Sequence, residues 1–163
     1  EVGGVGKASS SWVGEGPSTC EWFGPEAGEL REAGAEYGAK TGRPRRVGPI
    51  DLVASRYGVR MQGATNIALT KLDVLSYMER IPVCAAYEVD GQITHEFPFP
   101  VLLDQAKPVT EYLPGWRCDI SGVRTWEELP QAARDYVTYV EQAIGCRIGY
   151  VSVGAERDSL ILR

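Results

Sequence analysis

Three arginines fall within four positions in the stretch Gly42-Arg43-Pro44-Arg45-Arg46. Arginine presents a planar fork of N–H donors that matches carboxylate or phosphate oxygens in pairs. Pro44 fixes one dihedral of the loop, Gly42 lets backbone approach a ligand, and Thr41 adds a hydroxyl. On composition the run fits either a solvated basic turn or an anion-recognition loop. A second stretch, NIALTKLDVL from Asn66 to Leu75, runs from apolar residues into Lys71, Leu72 and Asp73. Read as a strand over 67–71, its period of two puts Lys71 and Asp73 on one face. A carboxylate there can accept two parallel hydrogen bonds from the N1–H and 2-amino group of guanine. Adenine lacks that pair of donors. The Lys71 stem could lie over the flat base with its ammonium hydrated. The same spacing also fits an exposed ion pair worth ~0–1 kcal/mol. A third stretch, VSVGAERD, offers the Ser152 hydroxyl and, at Gly154, room for a base against the backbone. A plain turn reads equally well there.

The totals narrow the partners. Seventeen basic and 22 acidic residues give a net charge of −5, which argues against a nucleic-acid partner. Any anion site must be a local concentration of arginine and lysine. The composition, 44% hydrophobic and 24% charged, suits one globular domain or part of a larger one. No apolar run is long enough to span a membrane, and no signal peptide is evident. Cys20, Cys84, Cys118 and Cys146 are widely spaced, with no C-x-x-C pair. They read as reduced core residues of a cytoplasmic protein. His95 is the only histidine, so a His-based metal site or a Ser–His–Asp triad is hard to build. GGVGKAS imitates a phosphate loop but has Glu1 where the first Gly belongs and Ala8 where Ser or Thr belongs. The chain opens on Glu1, which suggests a fragment or a processed product.

These stretches need elements to carry them. Residues 1–19 read as mostly irregular. A helix is expected over 25–37 and GAKTGRPRRVGP reads as a loop. A second helix is expected over 50–62, with Ile50, Val53, Tyr57 and Met61 as its apolar stripe and Gly63 as its stop. Strands follow over 67–71 and 81–89. Asp90-Gly91 signals a two-residue hairpin, returning along QITHEFPF until Pro98. KPVTEYL is a further strand. Thr125 to Glu128 fits a capping box ahead of a helix over 130–144, with Ala133, Tyr136, Val137, Val140 and Ile144 on one face. RIGYVSVG and SLIL close the chain as strands. The expected class is mixed α/β, with hairpins as well as strand–helix alternation. The strand before Lys71 is expected to be an unpaired edge, so the isolated chain should dimerise or aggregate.

Together these segments resemble the adenylosuccinate synthetase family over residues 5–163. KASSSWVGEGPSTCEWFG is similar to the family's K-A-Y-[ST]-[ST]-x-V-G-x-G-P segment. EYGAKTGRPRRVGPIDLVASRYGVR is similar to its E-[YF]-G-x-T-T-G-R-x-R-R-x-G-W-[FL]-D signature. ALTKLDVL, PGW, DISGVRTWEELP and YVSVGAERD follow in the family's order. Lys40, Pro49, Ser18, Val153 and Ala155 depart from the family's usual residues.

The resemblance implies a GTP-dependent ligase of purine biosynthesis that joins IMP and L-aspartate with Mg²⁺. The γ-phosphoryl passes to the 6-oxygen of IMP, and the aspartate amine displaces phosphate. That chemistry needs in-line positioning and neutralised charge. Ala39, Lys40, Thr41, Gly42, Arg43, Pro44 and Arg45 would form the aspartate loop. Arg43 would also reach IMP, and Arg45 the GTP side. Lys71, Leu72 and Asp73 would hold guanine, with Ser152, Val153 and Gly154 on its other edge. No residue here matches the family's phosphate loop, catalytic acid and base or Mg²⁺ ligands. The chain thus reads as a C-terminal portion, inactive alone, of a cytoplasmic homodimer. Residues 1–38 would be a connecting segment with its helix, and 39–163 the ligand-binding part. A non-catalytic guanine-nucleotide-binding or assembly module is the alternative. A generic α/β domain whose arginines bind an acidic protein is the third reading.

Overall fold

The computed structural model describes residues 1–163. In chain order the elements are β1 (Gly3–Lys7), β2 (Ser9–Trp12), α1 (Pro25–Gly34), β3 (Arg46–Asp51), α2 (Leu52–Gln62) and β4 (Asn66–Thr70). A 3₁₀ turn follows at Leu72–Tyr77, then β5 (Arg80–Val89), β6 (Gln92–Thr94), α3 (Pro100–Leu103) and β7 (Lys107–Pro114). The chain ends with α4 (Gln131–Ile144), β8 (Ile148–Ser152), a short 3₁₀ turn and β9 (Leu160–Leu162). Two sheets carry the fold. One has the order β1-β4-β8-β9; the other is built on β2-β3-β5-β6, with β7 also on β5. In the first, β1, β4 and β8 are parallel and β9 is antiparallel. In the second, β7 pairs along β5, while β3 and β6 share the opposite edge of β5.

The mixed α/β class is as expected, and so are most elements. Helix α4 buries Ala133, Tyr136, Val137, Val140 and Ile144, its anticipated apolar stripe. Gly63 and Gly145 cap α2 and α4 with φ of 61° and 69°, left-handed conformations that glycine takes without steric cost. Asp90 and Gly91, at φ of 51° and 76°, make the β5–β6 hairpin turn. One continuous core of 27 buried residues runs between the layers.

Several expectations are corrected. Residues 1–19 are not mostly irregular: β1 lies parallel to β4 and β2 antiparallel to β3. Gly3–Lys7 and Ser9–Trp12 thus join one sheet each. The second helix starts at Leu52, because Ile50 and Asp51 belong to β3 and pair with Val83 and Cys84 of β5. Asp51 caps α2 instead, its Oδ1 accepting from the Ala54 N–H at 2.9 Å. Helix α1 ends at Gly34, three residues early, with Ala35 in the left-handed region. The 125–128 box closes a local turn and not α4: Glu128 Oε2 accepts from the Thr125 N–H at 3.2 Å. Strand β6 stops at Thr94. Cys20, Cys84 and Cys146 are buried free thiols, but Cys118 is exposed. The strand before Lys71 is no edge: β4 sits between β1 and β8, and the open edges are β1 and β9.

Candidate ligand-binding site

Strands β1, β4 and β8 run parallel, so their C-terminal ends emerge on one side of the sheet. Lys7 ends β1 opposite Thr70, and Leu69 of β4 stands opposite Val151 of β8. The register therefore brings Lys71–Asp73 and Ser152–Gly154 to neighbouring strand ends. In open parallel α/β sheets, ligands bind at the carboxyl ends of strands.

The strand does not continue through Lys71. It stops at Thr70, and Lys71 takes φ 60° and ψ 36° at the head of the Leu72–Tyr77 turn. Leu72, fully buried, anchors that turn in the core. The pairing of Lys71 with Asp73 is thus replaced by a different one. Lys71 Nζ donates to the Gly34 carbonyl and to Glu36 Oε1, each at 2.7 Å. Its ammonium is not simply hydrated. Asp73 makes no ion pair within the chain. It is half-buried, and burial pushes its carboxyl above the ordinary value, with Lys71 pulling partly the other way. The backbone N–H groups of Asp73 and Val74 also act on this carboxylate and favour its charged form; with no side-chain partner, it keeps acceptor capacity for an outside donor.

Glu36 is the centre that sequence reasoning missed. Its side chain is 2% exposed and meets three cations: Lys71 at 2.7 Å, Arg45 at 2.8 Å and Lys7 at 3.1 Å. Burial alone would raise its pKa. The hydrogen bonds from Lys71, Lys7 and Arg45 outweigh that and lower it to about 2. Lys7 also donates to Ser11 Oγ. The one signal in the sequence was position: Glu36 opens the EYG…GRPRR signature and Lys7 opens the KASSSW segment.

The loop from Ala39 to Pro44 is exposed and closed at its base. Arg45 N–H donates to the Glu36 carbonyl at 2.9 Å, Gly38 N–H to the Arg43 carbonyl at 2.9 Å, and Gly42 N–H to the Gly38 carbonyl at 2.8 Å. Gly42 turns the chain at φ 64°. Arg43 reaches outward with no ion pair, whereas Arg45 is bound to Glu36. Arg46 is a structural residue: it grips Glu21 at 2.7 Å and the carbonyls of Gly14 and Gly16 at 3.0 and 2.8 Å. Thr41 Oγ accepts from the Arg43 N–H at 3.3 Å.

At the β8 end, Ser152 Oγ donates to the Gly154 carbonyl at 2.8 Å, which leaves its lone pairs as acceptors. Val153 is buried and its N–H is taken by the Ser159 carbonyl at 3.0 Å. A Cβ on Gly154 would stand 2.8 Å from Ser159 Oγ, so a side chain there would have to displace the buried Ser159 hydroxyl. His95 is exposed, with Nδ1 3.1 Å from the Ala85 carbonyl, remote in the fold from these residues. No three His, Cys, Asp or Glu side chains come together as metal ligands.

The described geometry meets a match. A family model described as adenylosuccinate synthetase fits residues 1–161. The chain belongs to the adenylosuccinate synthetase family. Adenylosuccinate synthetases of Pelobacter propionicus and Geobacter sulfurreducens are 48% and 47% identical over 163 residues. Each alignment takes 99% of this chain and 38% of the relative's length. The solved structure of fully ligated adenylosuccinate synthetase from Plasmodium falciparum superposes with a TM-score of 0.91 at 34% identity, over 98% of this chain and 39% of that one. The chain therefore spans under half the length of the adenylosuccinate synthetases it matches.

Proposed function

We propose that this chain is the part of an adenylosuccinate synthetase that holds L-aspartate and the guanine of GTP. The complete enzyme would use GTP and Mg²⁺ to join IMP and aspartate in purine biosynthesis, as a cytoplasmic homodimer. The half-buried Asp73 carboxylate, free of any ion pair and on a strand end neighbouring that of Ser152–Gly154, is the observation that carries the reading. Asp73 accepts from the guanine N1–H and 2-amino group. Lys71, tethered from below by Glu36 and Gly34, presents its stem to the base, and Leu72 fixes the turn. Ser152, Val153 and Gly154 flank the base's other edge, with Ser152 Oγ as an acceptor. Ala39, Lys40, Thr41, Gly42, Arg43, Pro44 and Arg45 form the aspartate loop. Arg43, free of internal partners, meets the aspartate carboxylates and IMP, and Arg45 faces the GTP side. These residues bind and orient; none moves a proton or phosphoryl group, so the chain alone is expected to catalyse nothing.

Calorimetric titration of GDP into the chain, with ADP as control, tests this. Each hydrogen bond to a charged group is worth roughly 1.5–3 kcal/mol, so losing the guanine pair should weaken ADP by at least about tenfold. Equal binding of the two nucleotides would overturn the guanine assignment.

A further inference from the structure

We propose that Glu36 is a positioning residue that couples the arginine loop to the Lys71–Asp73 turn. Occupying one of these sites then changes the affinity of the other. The inference rests on the assignment of aspartate to the loop and guanine to the turn.

The two sites share no side-chain hydrogen bond or ion pair except through this carboxylate. On one side, Glu36 Oε2 holds Arg45 Nη1 at 2.8 Å. On the other, Oε1 holds Lys71 Nζ at 2.7 Å and Lys7 Nζ at 3.1 Å. The backbone of Glu36 is pinned at the base of the loop, donating to the Arg31 carbonyl and accepting from the Arg45 N–H, each at 2.9 Å. A shift of the loop base therefore moves the carboxylate, and the carboxylate moves Lys71. Lys71 has little slack, because its backbone sits at φ 60°, a conformation that disfavours side chains other than glycine.

Charge makes the link sensitive to ligands. Three cations surround one carboxylate, so these four side chains together carry a net charge of +2. An anionic ligand that draws Arg45 outward weakens its hold on Glu36 and frees that carboxylate for Lys71 and Lys7. Arg45 also keeps a buried Nε–H with no partner, a further reason for its position to respond to an incoming acceptor. Such coupling is reciprocal: what aspartate does to GDP affinity, GDP must do to aspartate affinity.

The test is the Kd of GDP with and without saturating L-aspartate, in the complete synthetase containing this segment. The unmodified enzyme should show a change of at least about fivefold, the lower end of ordinary coupling. Glu36→Gln, which keeps the shape and removes the charge, should cut it to below about twofold. Glu36→Asp keeps the charge but is one methylene too short to reach both Arg45 and Lys71. It serves where the Gln variant does not fold, and it should lose coupling too. A merely structural role would lower stability and leave the ratio of the two Kd values alone. Full coupling in either folded variant, or none in the unmodified enzyme, overturns the proposal. Failure of the unmodified enzyme to prefer GDP over ADP strikes instead at the guanine assignment beneath it.

Discussion

Glu36 and Asp73 are two carboxyls shifted in opposite directions, and their pH signatures differ in sign. Glu36 has its folded pKa lowered from 4.5 to about 2. Its stabilising contribution is present above the unfolded value and is lost as pH falls from about 4.5 towards 2. Urea unfolding across that window should show steep acid destabilisation, and Glu36→Gln should flatten it. Removing the charge near neutral pH strands partly exposed cations, so the loss belongs at the low end of the about 3–5 kcal/mol seen for broken buried pairs. Asp73 behaves the other way. Burial raises its pKa, so it favours the fold below its unfolded value, and that contribution fades as pH rises through the folded one. For Asp73 the functional consequence matters more: GDP affinity should fall with acidification at a higher pH than a free aspartate would dictate. At this scale the sequence displayed the ligand-facing residues, Arg43 and Asp73, because their chemistry is local. It hid Glu36, since a lone glutamate after a helix gives no sign that 29 residues upstream and 35 downstream two lysines will meet it.

Elements were legible wherever periodicity or a turn residue spoke for itself. The α4 stripe, the Asp90-Gly91 hairpin and the Gly63 and Gly145 stops all appear as read. The β3–α2 boundary was missed because Ile50 satisfies both the helical stripe and the strand, and pairing with β5 decides it. Strands β1 and β2 were missed because a Gly- and Ser-rich sequence carries little strand propensity. They exist because β4 and β3 offer partners. Close packing of the same region gives a paired prediction. A Cβ on Gly48 of β3 would sit 2.1 Å from the Cys20 carbonyl oxygen, a backbone atom with little freedom, whereas one on Gly58 of α2 meets nothing within 4 Å. Gly48→Ala should therefore cost about 1–3 kcal/mol or more. Gly58→Ala should add about 0.5–1 kcal/mol. Chemical denaturation of the two variants checks both signs; equal effects would contradict the packing described for β3.

The whole molecule packs two open sheets around one core, and the first sheet ends in β1 and β9. Association of the isolated chain is still expected, but through β1 and β9 and not through β4. Val5 on β1 is 78% exposed and Leu162 on β9 is 70% exposed, so each open edge carries an exposed apolar side chain that invites pairing. Val5→Lys with Leu162→Lys should shift sedimentation towards monomer, and unchanged association would show that another surface is responsible. What no single-chain reading could supply is the missing majority of the relatives' length, since this chain covers 38% of it. The ligand assignment is therefore best tested on the one residue that defines it. Asp73→Asn keeps the size of the side chain and turns one acceptor into a donor. The variant should accept from N1–H as before but meet the guanine 2-amino group donor to donor, while xanthine, with a 2-oxo group there, becomes its complement. The decisive measurement is the Kd of GDP and of xanthosine diphosphate for the chain before and after this exchange. The preference should invert, each nucleotide moving by at least about tenfold. If the Asp73→Asn variant binds GDP as tightly as the unmodified chain, Asp73 is not the residue that reads the base.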